Sequence, residues 1–260
     1  MVEELQKSQF SLVLSGGGAL GIAHIGVVED LELYNLSPSE IIGTSMGGII
    51  GACVAIGLEA KEILDVVKEF ASVTKWIKFS FSGNSIIESS KIEKIFEHIF
   101  GNRMMLDVET PLKIIATDLL TGAKRVFSES DNILIKDALL ATMAIPGIFS
   151  EKVIDGRVYA DGFLCENLGL SEASFETILA VDVLGFNSFE KELPDNILKT
   201  MNVLEMFEKS MRLLIYNQTK LIRQHLQKRV FLLEPATKEY NTYHFHKVYE
   251  IYKLGKGLIL

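Results

Sequence analysis

The stretch FSLVLSGGGALG, residues 10–21, joins a short apolar segment to a cluster of glycines and then to a second apolar segment. The stretch EIIGTSMGG, residues 40–48, repeats this arrangement further along the chain. Each predicts a strand buried on both faces, a tight turn and a helix. The predicted parts are a strand Phe10–Leu14, a glycine cluster Gly16–Gly18 and a helix containing His24, then a strand Glu40–Ile42, a turn Gly43–Gly48 and a helix to about Ile56.

Two long segments of this region lack charged residues, as membrane-spanning helices do. Phe10–Val28 and Ile41–Leu58 contain no Asp, Glu, Lys or Arg, and each is about long enough to cross a bilayer. The glycine clusters inside them interrupt any continuous helix, so both segments are predicted to be strand–turn–helix units and no transmembrane segment is expected. The N-terminal MVEELQKSQF is acidic rather than basic, so no signal peptide is expected either.

The remaining sequence alternates between strand and helix patterns. Such alternation predicts an α/β fold, a three-layer α/β/α arrangement with a mostly parallel central sheet covered on both faces. We expect one domain over residues 1–260, with the polar stretch 185–196 as a candidate flexible flap. The further predicted helices are Glu59–Phe70, Lys91–Phe100, Ile133–Met143, Thr200–Gln227 and His244–Leu254, and the further strands are Leu112–Ala116, Lys124–Phe127, Val153–Ile154, Arg157–Ala160, Ile178–Val183 and Val230–Leu233.

Composition narrows the classes of function. The 260 residues carry a net charge of −8, which argues against wholesale nucleic-acid binding, because that requires a basic surface. The two cysteines, Cys53 and Cys165, lie in apolar, glycine-rich surroundings and are interpreted as buried thiols, which fits a reducing, cytoplasmic compartment. No metal-ligand spacing occurs, so no metal is expected.

The pattern G-x-S-x-G at Gly43-Thr44-Ser45-Met46-Gly47 is the strongest chemical signal. Between a strand and a helix, this pattern raises the serine on a sharp turn as a nucleophile. The glycines allow close passage of the chain, and the following helix directs its positive dipole end at the same point. The alternative is structural: Ser45 would cap the helix and the glycines would serve close packing.

The glycine loop Ser15–Gly21 fits two functions, an oxyanion hole and a dinucleotide-binding loop. Consecutive glycines let several main-chain N–H groups point at one anion, as an oxyanion hole requires. Gly16-x-Gly18-x-x-Gly21 also matches a dinucleotide fingerprint, but that motif needs a carboxylate at the end of the second strand. The second strand here leads into Gly43-Thr44-Ser45 instead, so the nucleotide hypothesis is the weaker one.

Asp161, followed by Gly162, comes directly after the predicted hairpin strand Arg157–Ala160 and is either a turn former or a base for Ser45. A carboxylate accepts the serine proton if it lies within hydrogen-bond reach. Histidine is the usual base, and three of the five histidines follow late enough for the order Ser…Asp…His. None follows a strand in a glycine-marked loop, so a triad is disfavoured. The five are His24, His98, His225, His244 and His246.

In combination these motifs resemble the patatin-like phospholipase family. The matching stretches occur in the family's order from Phe10 to about Leu254: SGGGALG (15–21), GTSMGG (43–48), ATDLLTG (116–122), MAIPGIF (143–149) and DGRVYADG (155–162) followed by Asn167. The resemblance implies a patatin-like fold and a lipid acyl hydrolase, of phospholipase A, lysophospholipase or esterase type, that forms an acyl-enzyme without metal or cofactor. It implies Ser45 as nucleophile, Asp161 as base and an oxyanion hole formed by Gly16, Gly17, Gly18 and Ala19, with Gly21, Gly43, Gly47 and Gly162 as motif glycines.

Two positions depart from the family pattern. Leu20 stands where the glycine loop usually carries Lys or Arg, and Phe163 stands where Gly or Ala usually follows Asp-Gly. Phe163 would be strained if its φ were positive, and otherwise its ring could line the acyl pocket. These departures leave open a second hypothesis, a weakly active or inactive lipid-binding protein on the same fold.

A basic helix is predicted near the C-terminus. Residues 209–229 contain six Lys and Arg and no acidic residue, with apolar residues between them. Such a helix either lies on an anionic bilayer or packs on the sheet with a solvated basic face. We expect peripheral membrane contact through this helix and the loops Phe79–Phe81 and Phe186–Phe189, with a phospholipid or other acyl ester as substrate. The sequence predicts no oligomeric state.

Overall fold

The computed structural model describes residues 1–74, 89–189 and 203–260. Its strands form one sheet in the order β5-β6-β3-β2-β1-β7-β8, with β4 paired to β3. Neighbours among β3, β2, β1, β7 and β8 run parallel, whereas β4 and β6 are antiparallel to β3, and β5 to β6. The strands are β1 Phe10–Leu14, β2 Glu40–Thr44, β3 Leu112–Asp118, β4 Lys124–Phe127, β5 Lys152–Ile154, β6 Arg157–Asp161, β7 Thr177–Val181 and β8 Arg229–Leu233.

Helices cover the sheet. The described α-helices are α1 Val2–Leu5, α2 Ala23–Leu33, α3 Met46–Ala55, α4 Ala60–Thr74, α5 Ser89–Phe100, α6 Ile135–Thr142, α7 Val203–His225 and α8 Val248–Leu254. Short 3₁₀ helices precede α2 and α8, at Gly18–Ile22 and Phe245–Lys247. No helix within the described ranges is long and apolar enough to span a bilayer.

Apolar side chains alternate between two cores, one on each face of the sheet. Leu12 and Leu14 of β1 belong to the larger core, which the helices α2–α6 and α8 complete. Val13 points the other way, into a smaller core that Ile222 and Leu226 of α7 help to cover. Since both faces are buried, the central strands are apolar throughout, and the predicted mostly parallel three-layer arrangement is confirmed.

The ends of several elements differ from those predicted. β2 continues through Gly43 and Thr44, so the predicted six-residue turn contracts to Ser45. β6 includes Asp161 as its last residue, because it pairs with Ala116 of β3. The helix predicted from Ile133 begins at Ile135. The sequence does not predict helix α1. It predicts continuous helices where the structure has the 3₁₀ turns that precede α2 and α8.

Other local predictions match the structure. Asp155 and Gly156 have positive φ in the tight turn between β5 and β6. Gly101 has a φ of 57° directly after α5, as a helix-ending residue does. Of the segments predicted to be loops, Phe79–Phe81 and residues 190–196 of the candidate flap lie outside the described residues.

Candidate active site

The site lies at the carboxyl ends of the parallel strands. β1 and β2 are neighbours, and the glycine loop and Ser45 follow their carboxyl ends. The chain moves from β1 to β2 and β3 on one side, while β7 and β8 lie on the other side of β1. A crevice opens where the strand order reverses in this way, and it is the usual position of a ligand site in α/β folds.

Ser45 occupies a strained turn between β2 and α3. Its φ of 52° and ψ of −123° lie outside the regions that a serine prefers. Two hydrogen bonds hold the turn: the Ser45 N–H donates to Oγ1 of Thr142 at 2.8 Å, and the Ser45 carbonyl accepts from the N–H of Ile49 at 3.1 Å. No side-chain capping bond from Ser45 to α3 is formed, so the hydroxyl is not engaged as a helix cap.

Close packing explains the four motif glycines. A Cβ atom on Gly47 would lie 2.3 Å from the Leu14 carbonyl oxygen, so only glycine lets α3 approach β1 this closely. The other three meet similar obstacles: a Cβ would lie 2.5 Å from Met46 Cγ at Gly21, 2.5 Å from Gly48 Cα at Gly43 and 2.3 Å from the Ile115 oxygen at Gly162.

Sheet register brings Asp161 near Ser45. Asp161 pairs with Ala116 of β3, and the preceding residue, Ile115, pairs with Thr44 of β2. The two residues are therefore about two strand spacings apart, roughly 10 Å between backbones, which their side chains bridge from both sides. Ser45 and Asp161 open onto the same cavity.

The Asp161 carboxyl is completely buried. Oδ1 accepts a hydrogen bond from the Phe163 N–H at 3.0 Å, whereas Oδ2 has no hydrogen-bond partner among the described residues. Burial raises the pKa of Asp161 to about 7, although hydrogen bonding to the Ser45 side chain and the Phe163 N–H partly offsets this rise. Catalytic hydrogen bonds are often long before a substrate binds, so the unoccupied position at Oδ2 is compatible with a later bond from the Ser45 hydroxyl.

The glycine loop presents two main-chain N–H groups to the cavity. Gly17 and Gly18 line the cavity, and their N–H groups have no partner among the described residues. The N–H groups on either side are already used: Gly16 donates to the Asn167 carbonyl at 3.1 Å, and Ala19 donates to the Thr242 carbonyl at 2.7 Å. Of the four residues predicted to form an oxyanion hole, Gly17 and Gly18 are therefore the two whose N–H groups have no partner in the described part of the chain.

Buried side chains hold the loop from behind. His24 Nε2 lies 2.8 Å from the Ser15 carbonyl, so that nitrogen carries the proton and donates. Burial lowers the pKa of His24 to about 4 despite this bond, so the ring is neutral. Asn167 donates from Nδ2 to the Gly16 carbonyl at 3.3 Å. No histidine lines the cavity within the described ranges, and Asp161 is the carboxyl there whose pKa is affected by hydrogen bonding to the Ser45 side chain.

The cavity has a volume of about 180 Å³ and a mostly apolar wall. Its wall includes residues for which the motifs predict no role: some lie within the quoted motif stretches, such as Met46 and Met143, and others come from distant elements with ordinary amphipathic patterns. Within the described ranges, no group of three or more His, Cys, Asp or Glu side chains could hold a metal ion. The unassigned lining residues include Met46, Ile49, Phe70, Met143, Ile145, Ile148, Phe149, Leu184, Glu208, Met211, Arg212, Ile215, Thr242, Tyr243 and Phe245.

The two departures from the family pattern have clear positions. Leu20 is fully buried in the larger core, so the loop brings no cation to the cavity there. Phe163 lies in the 3₁₀ turn Gly162–Leu164 without positive φ, and its side chain lines the cavity. The backbone of Phe163 is therefore not strained, and its ring lines the cavity, as the second interpretation predicts.

Comparison with known proteins identifies the family of this chain. The model of the family described as "Patatin-like phospholipase" matches residues 12–174, which include Ser45 and Asp161. The chain therefore belongs to the patatin-like phospholipase family.

Its relatives are themselves longer proteins. An uncharacterized NTE family protein of Mycobacterium bovis is 31% identical over 163 residues, which are 62% of this chain and 44% of that protein. Patatin-like phospholipase domain-containing protein 6 of Mus musculus is 27% identical over 188 residues, 69% of this chain and 14% of that protein. This chain thus matches less than half the length of these relatives. Among solved structures, VipD from Legionella pneumophila aligns with 94% of this chain and 66% of its own at a TM-score of 0.44 and 11% identity.

Proposed function

We propose that this protein hydrolyses acyl esters of lipids through a dyad of Ser45 and Asp161. Membership of the patatin-like phospholipase family supports the general class of reaction. The single observation that supports the dyad is that a serine on a strained turn shares an apolar cavity with a fully buried carboxyl. A hydroxyl is a weak nucleophile until a nearby base accepts its proton.

In the first half-reaction, Ser45 Oγ attacks the ester carbonyl carbon while its proton passes to the Asp161 carboxylate. The electron pair of the carbonyl bond moves to oxygen, and the N–H groups of Gly17 and Gly18 stabilise that charge. The N-terminus of α3 adds a favourable dipole. Collapse of the tetrahedral intermediate expels the alcohol, which takes the proton from Asp161 and leaves the acyl group on Ser45.

Water completes the cycle. A water molecule gives a proton to Asp161 and attacks the acyl carbon, and the second tetrahedral intermediate expels Ser45 Oγ. The fatty acid departs and the proton returns to Ser45. Because burial raises the pKa of Asp161 to about 7, this carboxylate is a much stronger base than an exposed aspartate and is still largely ionised just above neutrality.

The cavity wall favours a single acyl chain as the buried part of the substrate. Met46, Ile49 and Phe163 lie with Ser45 on its wall, and these side chains offer dispersion contacts but no hydrogen bonds. Arg212 is the only Lys or Arg lining the cavity in the described chain, and it is paired with Glu208. The polar headgroup would remain outside this apolar space.

The outer face of α7 supports a peripheral membrane contact. Met206, Leu213, Leu214 and Leu221 are exposed large apolar side chains at helical spacing. Lys220 and Arg223, also exposed, flank this stripe, and residues 209–229 contain no acid. Apolar residues with neighbouring cations suit an anionic bilayer. The inner face of the same helix lines the cavity, so contact there would bring the substrate close to Ser45.

Hydrolysis of a p-nitrophenyl acyl ester tests the dyad. We expect Ser45→Ala and Asp161→Asn each to lower kcat by at least about 10⁴-fold, the loss typical when a member of such a catalytic unit is removed. A fluorophosphonate should label the wild type at Ser45 and leave Ser45→Ala unlabelled. Asp30→Asn is a matched control, because this buried carboxyl accepts hydrogen bonds from the N–H groups of residues 257–259 rather than lining the cavity.

Retained turnover in either dyad variant would contradict the mechanism. A wild type that binds fatty acid but neither hydrolyses esters nor reacts with the fluorophosphonate would instead be the inactive lipid-binding protein of the second hypothesis.

A further inference from the structure

We propose that Glu208 and Arg212 of α7 are positioning residues that fix the oxyanion-binding amides of Gly17 and Gly18. The inference rests on the proposed function, because these amides serve catalysis only if Ser45 attacks an ester. Both residues lie outside residues 12–174, which the family model matches. They line the cavity, and Glu208 belongs to no motif. Arg212 is one of the cations of residues 209–229, but it is buried against the cavity and does not lie on the outer face of α7.

Two hydrogen bonds flank the Gly17–Gly18 segment, and a third, from the Leu20 N–H to the Gly17 carbonyl at 3.1 Å, lies within the loop. On one side the Gly16 N–H donates to Asn167, and on the other the Ala19 N–H donates to the Thr242 carbonyl at 2.7 Å. The contact with Thr242 is also a close steric one, because a Cβ atom on Gly18 would lie 2.4 Å from that same carbonyl oxygen. The position of the Thr242 peptide therefore limits where the Gly18 amide can lie.

Glu208 fixes Thr242. Its Oε1 accepts from the Thr242 N–H at 2.9 Å, while the Thr242 carbonyl accepts from Ala19. Thr242 therefore links the Glu208 carboxylate to the glycine loop, because its N–H bonds to the one and its carbonyl to the other. A displacement of the Glu208 carboxylate would be transmitted to the loop through a single residue rather than through a flexible segment.

Arg212 fixes Glu208 and the chain around it. Its Nη2 donates to Glu208 Oε1 at 2.7 Å and to the Tyr240 carbonyl at 2.8 Å, and its Nη1 donates to the Ser188 carbonyl at 3.3 Å. The Arg212 and Glu208 side chains are only 9% and 12% exposed, so water screens their attraction weakly. Together they tie α7, residues 240–242 and residue 188 into one rigid unit.

Such rigidity matters more for the transition state than for substrate binding. Oxyanion-hole donors must lie about 2.7–3.1 Å from the oxygen on which charge develops. A misplacement of about 1 Å costs on the order of 10²-fold in rate. The acyl chain, in contrast, rests on apolar side chains that tolerate small shifts. Loss of the pair should therefore reduce kcat and leave KM nearly unchanged.

Glu208→Ala removes the acceptor for Thr242, and Glu208→Gln retains it without the charge. We expect kcat for the acyl ester to fall by about 10- to 100-fold in Glu208→Ala, and to recover most of this loss in Glu208→Gln. Glu40→Ala is the matched control. It removes a similarly buried carboxylate from Lys113 at the opposite, amino end of β2, so it should lower stability and leave kcat unchanged.

A pair of ketone inhibitors of equal chain length separates positioning from general loosening. The Ser45 hydroxyl adds to the carbonyl carbon of a trifluoromethyl ketone, and the resulting oxyanion must be bound by the two amides. The methyl ketone binds without reacting and so resembles the ground state. In Glu208→Ala, the affinity for the trifluoromethyl ketone should fall by the same factor as kcat/KM, and the affinity for the methyl ketone should not change. Thermal unfolding of each variant establishes that it is folded at the assay temperature.

Two results would overturn the inference: an unchanged kcat in folded Glu208→Ala, or equal losses of affinity for both ketones. If Glu208→Ala does not fold, a loss in Glu208→Gln as large as that expected for Glu208→Ala would also contradict it, because glutamine keeps the bond to Thr242. Failure of the proposed function looks different, since the wild type itself would then show neither turnover nor reaction with the trifluoromethyl ketone.

Discussion

Ser45 and Asp161 are each held in a state that a free residue would avoid. The backbone of Ser45 has positive φ, which costs on the order of 1–3 kcal/mol. Asp161 loses its hydration, and its ionised form is destabilised by that burial. The bonds to Thr142 and Phe163 offset part of these costs. In the proposed mechanism, the strained turn places Ser45 on the cavity wall and burial makes the Asp161 carboxylate more basic.

The pH dependence of kcat/KM should report Asp161. In the proposed mechanism the ionised form of Asp161 is the base, and burial raises its pKa to about 7, so kcat/KM should rise tenfold per pH unit below pH 7 and level off above it. A pH-stat assay of released acid measures this without interference from a titrating dye. The predicted profile is contradicted if the rate is constant between pH 5 and 8 or falls as pH rises.

Asp182 offers a control for that assignment. Burial also raises the pKa of this carboxyl to about 7, but Asp182 does not line the cavity. Asp182→Asn should therefore retain the inflection near pH 7. Loss of the inflection in that variant would show that the inflection reports Asp182 and not Asp161.

At the scale of elements, α7 carries two different surfaces. Its inner side supplies Met211, Arg212 and Ile215 to the cavity wall, and Ile222 and Leu226 further along cover the smaller core. Its outer side leaves four large apolar residues exposed beside cations. Phe189, from the predicted lipid-facing loop, packs against Tyr216 of the same helix, with the ring centres 5.4 Å apart.

Sedimentation with anionic liposomes tests the outer face of α7. Each cation near an anionic surface contributes about 1 kcal/mol, so Lys220→Glu/Arg223→Glu should strongly reduce the bound fraction. Lys61→Glu/Lys253→Glu makes the same change in net charge on α4 and α8, which pack on the opposite face of the sheet, and should bind like the wild type. Equal binding of all three proteins would argue against a membrane contact through α7.

At the scale of the whole molecule, the sheet brings together groups that are distant in sequence. Ser45 directly follows β2 and Asp161 ends β6, and β3 lies between these two strands, so the register of β3 with both neighbours sets the separation of the two residues. The same placement buries ionisable groups, so the stability of the fold depends on pH. Among the ionisable side chains that line the cavity in the described residues, Asp161 is completely buried, whereas Glu208 and Arg212 keep some exposed surface.

Asp161→Asn should be more stable than the wild type near neutral pH. Since folding raises the pKa of Asp161 from 3.8 to about 7, its stabilising contribution is complete below pH 3.8 and is lost as pH rises to 7. Chemical unfolding should therefore show a gain for Asp161→Asn that grows between pH 5 and 8, to a few kcal/mol at most by about 1.4 kcal/mol per pKa unit.

Glu40→Gln should behave in the opposite way. Burial alone would raise the pKa of Glu40, but hydrogen bonds from Ser11, Ser174 and Lys113 outweigh burial and lower it. Its contribution is present near neutral pH and is lost on acidification, so the variant should be less stable at pH 7, with a difference that shrinks as pH falls. A pH-independent difference for both variants would show that neither carboxyl titrates as inferred.

Much of this arrangement follows from the sequence. The strand Phe10–Leu14 and the helix beginning after Ser45 could be predicted, because a short apolar run that ends in glycines has few alternatives in water. The same local signals identified Ser45 and Asp161 as candidate groups. The same signals place the ends of some elements wrongly. The sequence around Gly43 predicts a turn, but pairing with Ile114 of β3 keeps Gly43 in β2.

Only the tertiary structure decided how the site is completed. Which of the four loop amides are available depends on Asn167 and Thr242, and no spacing rule joins these residues to Gly17 and Gly18. The conformation of Phe163 and the buried pair Glu208–Arg212 are likewise products of packing. Local sequence fixes what a short segment can form by itself, whereas hydrogen-bond partners, burial and pKa depend on elements that meet only when the chain has folded.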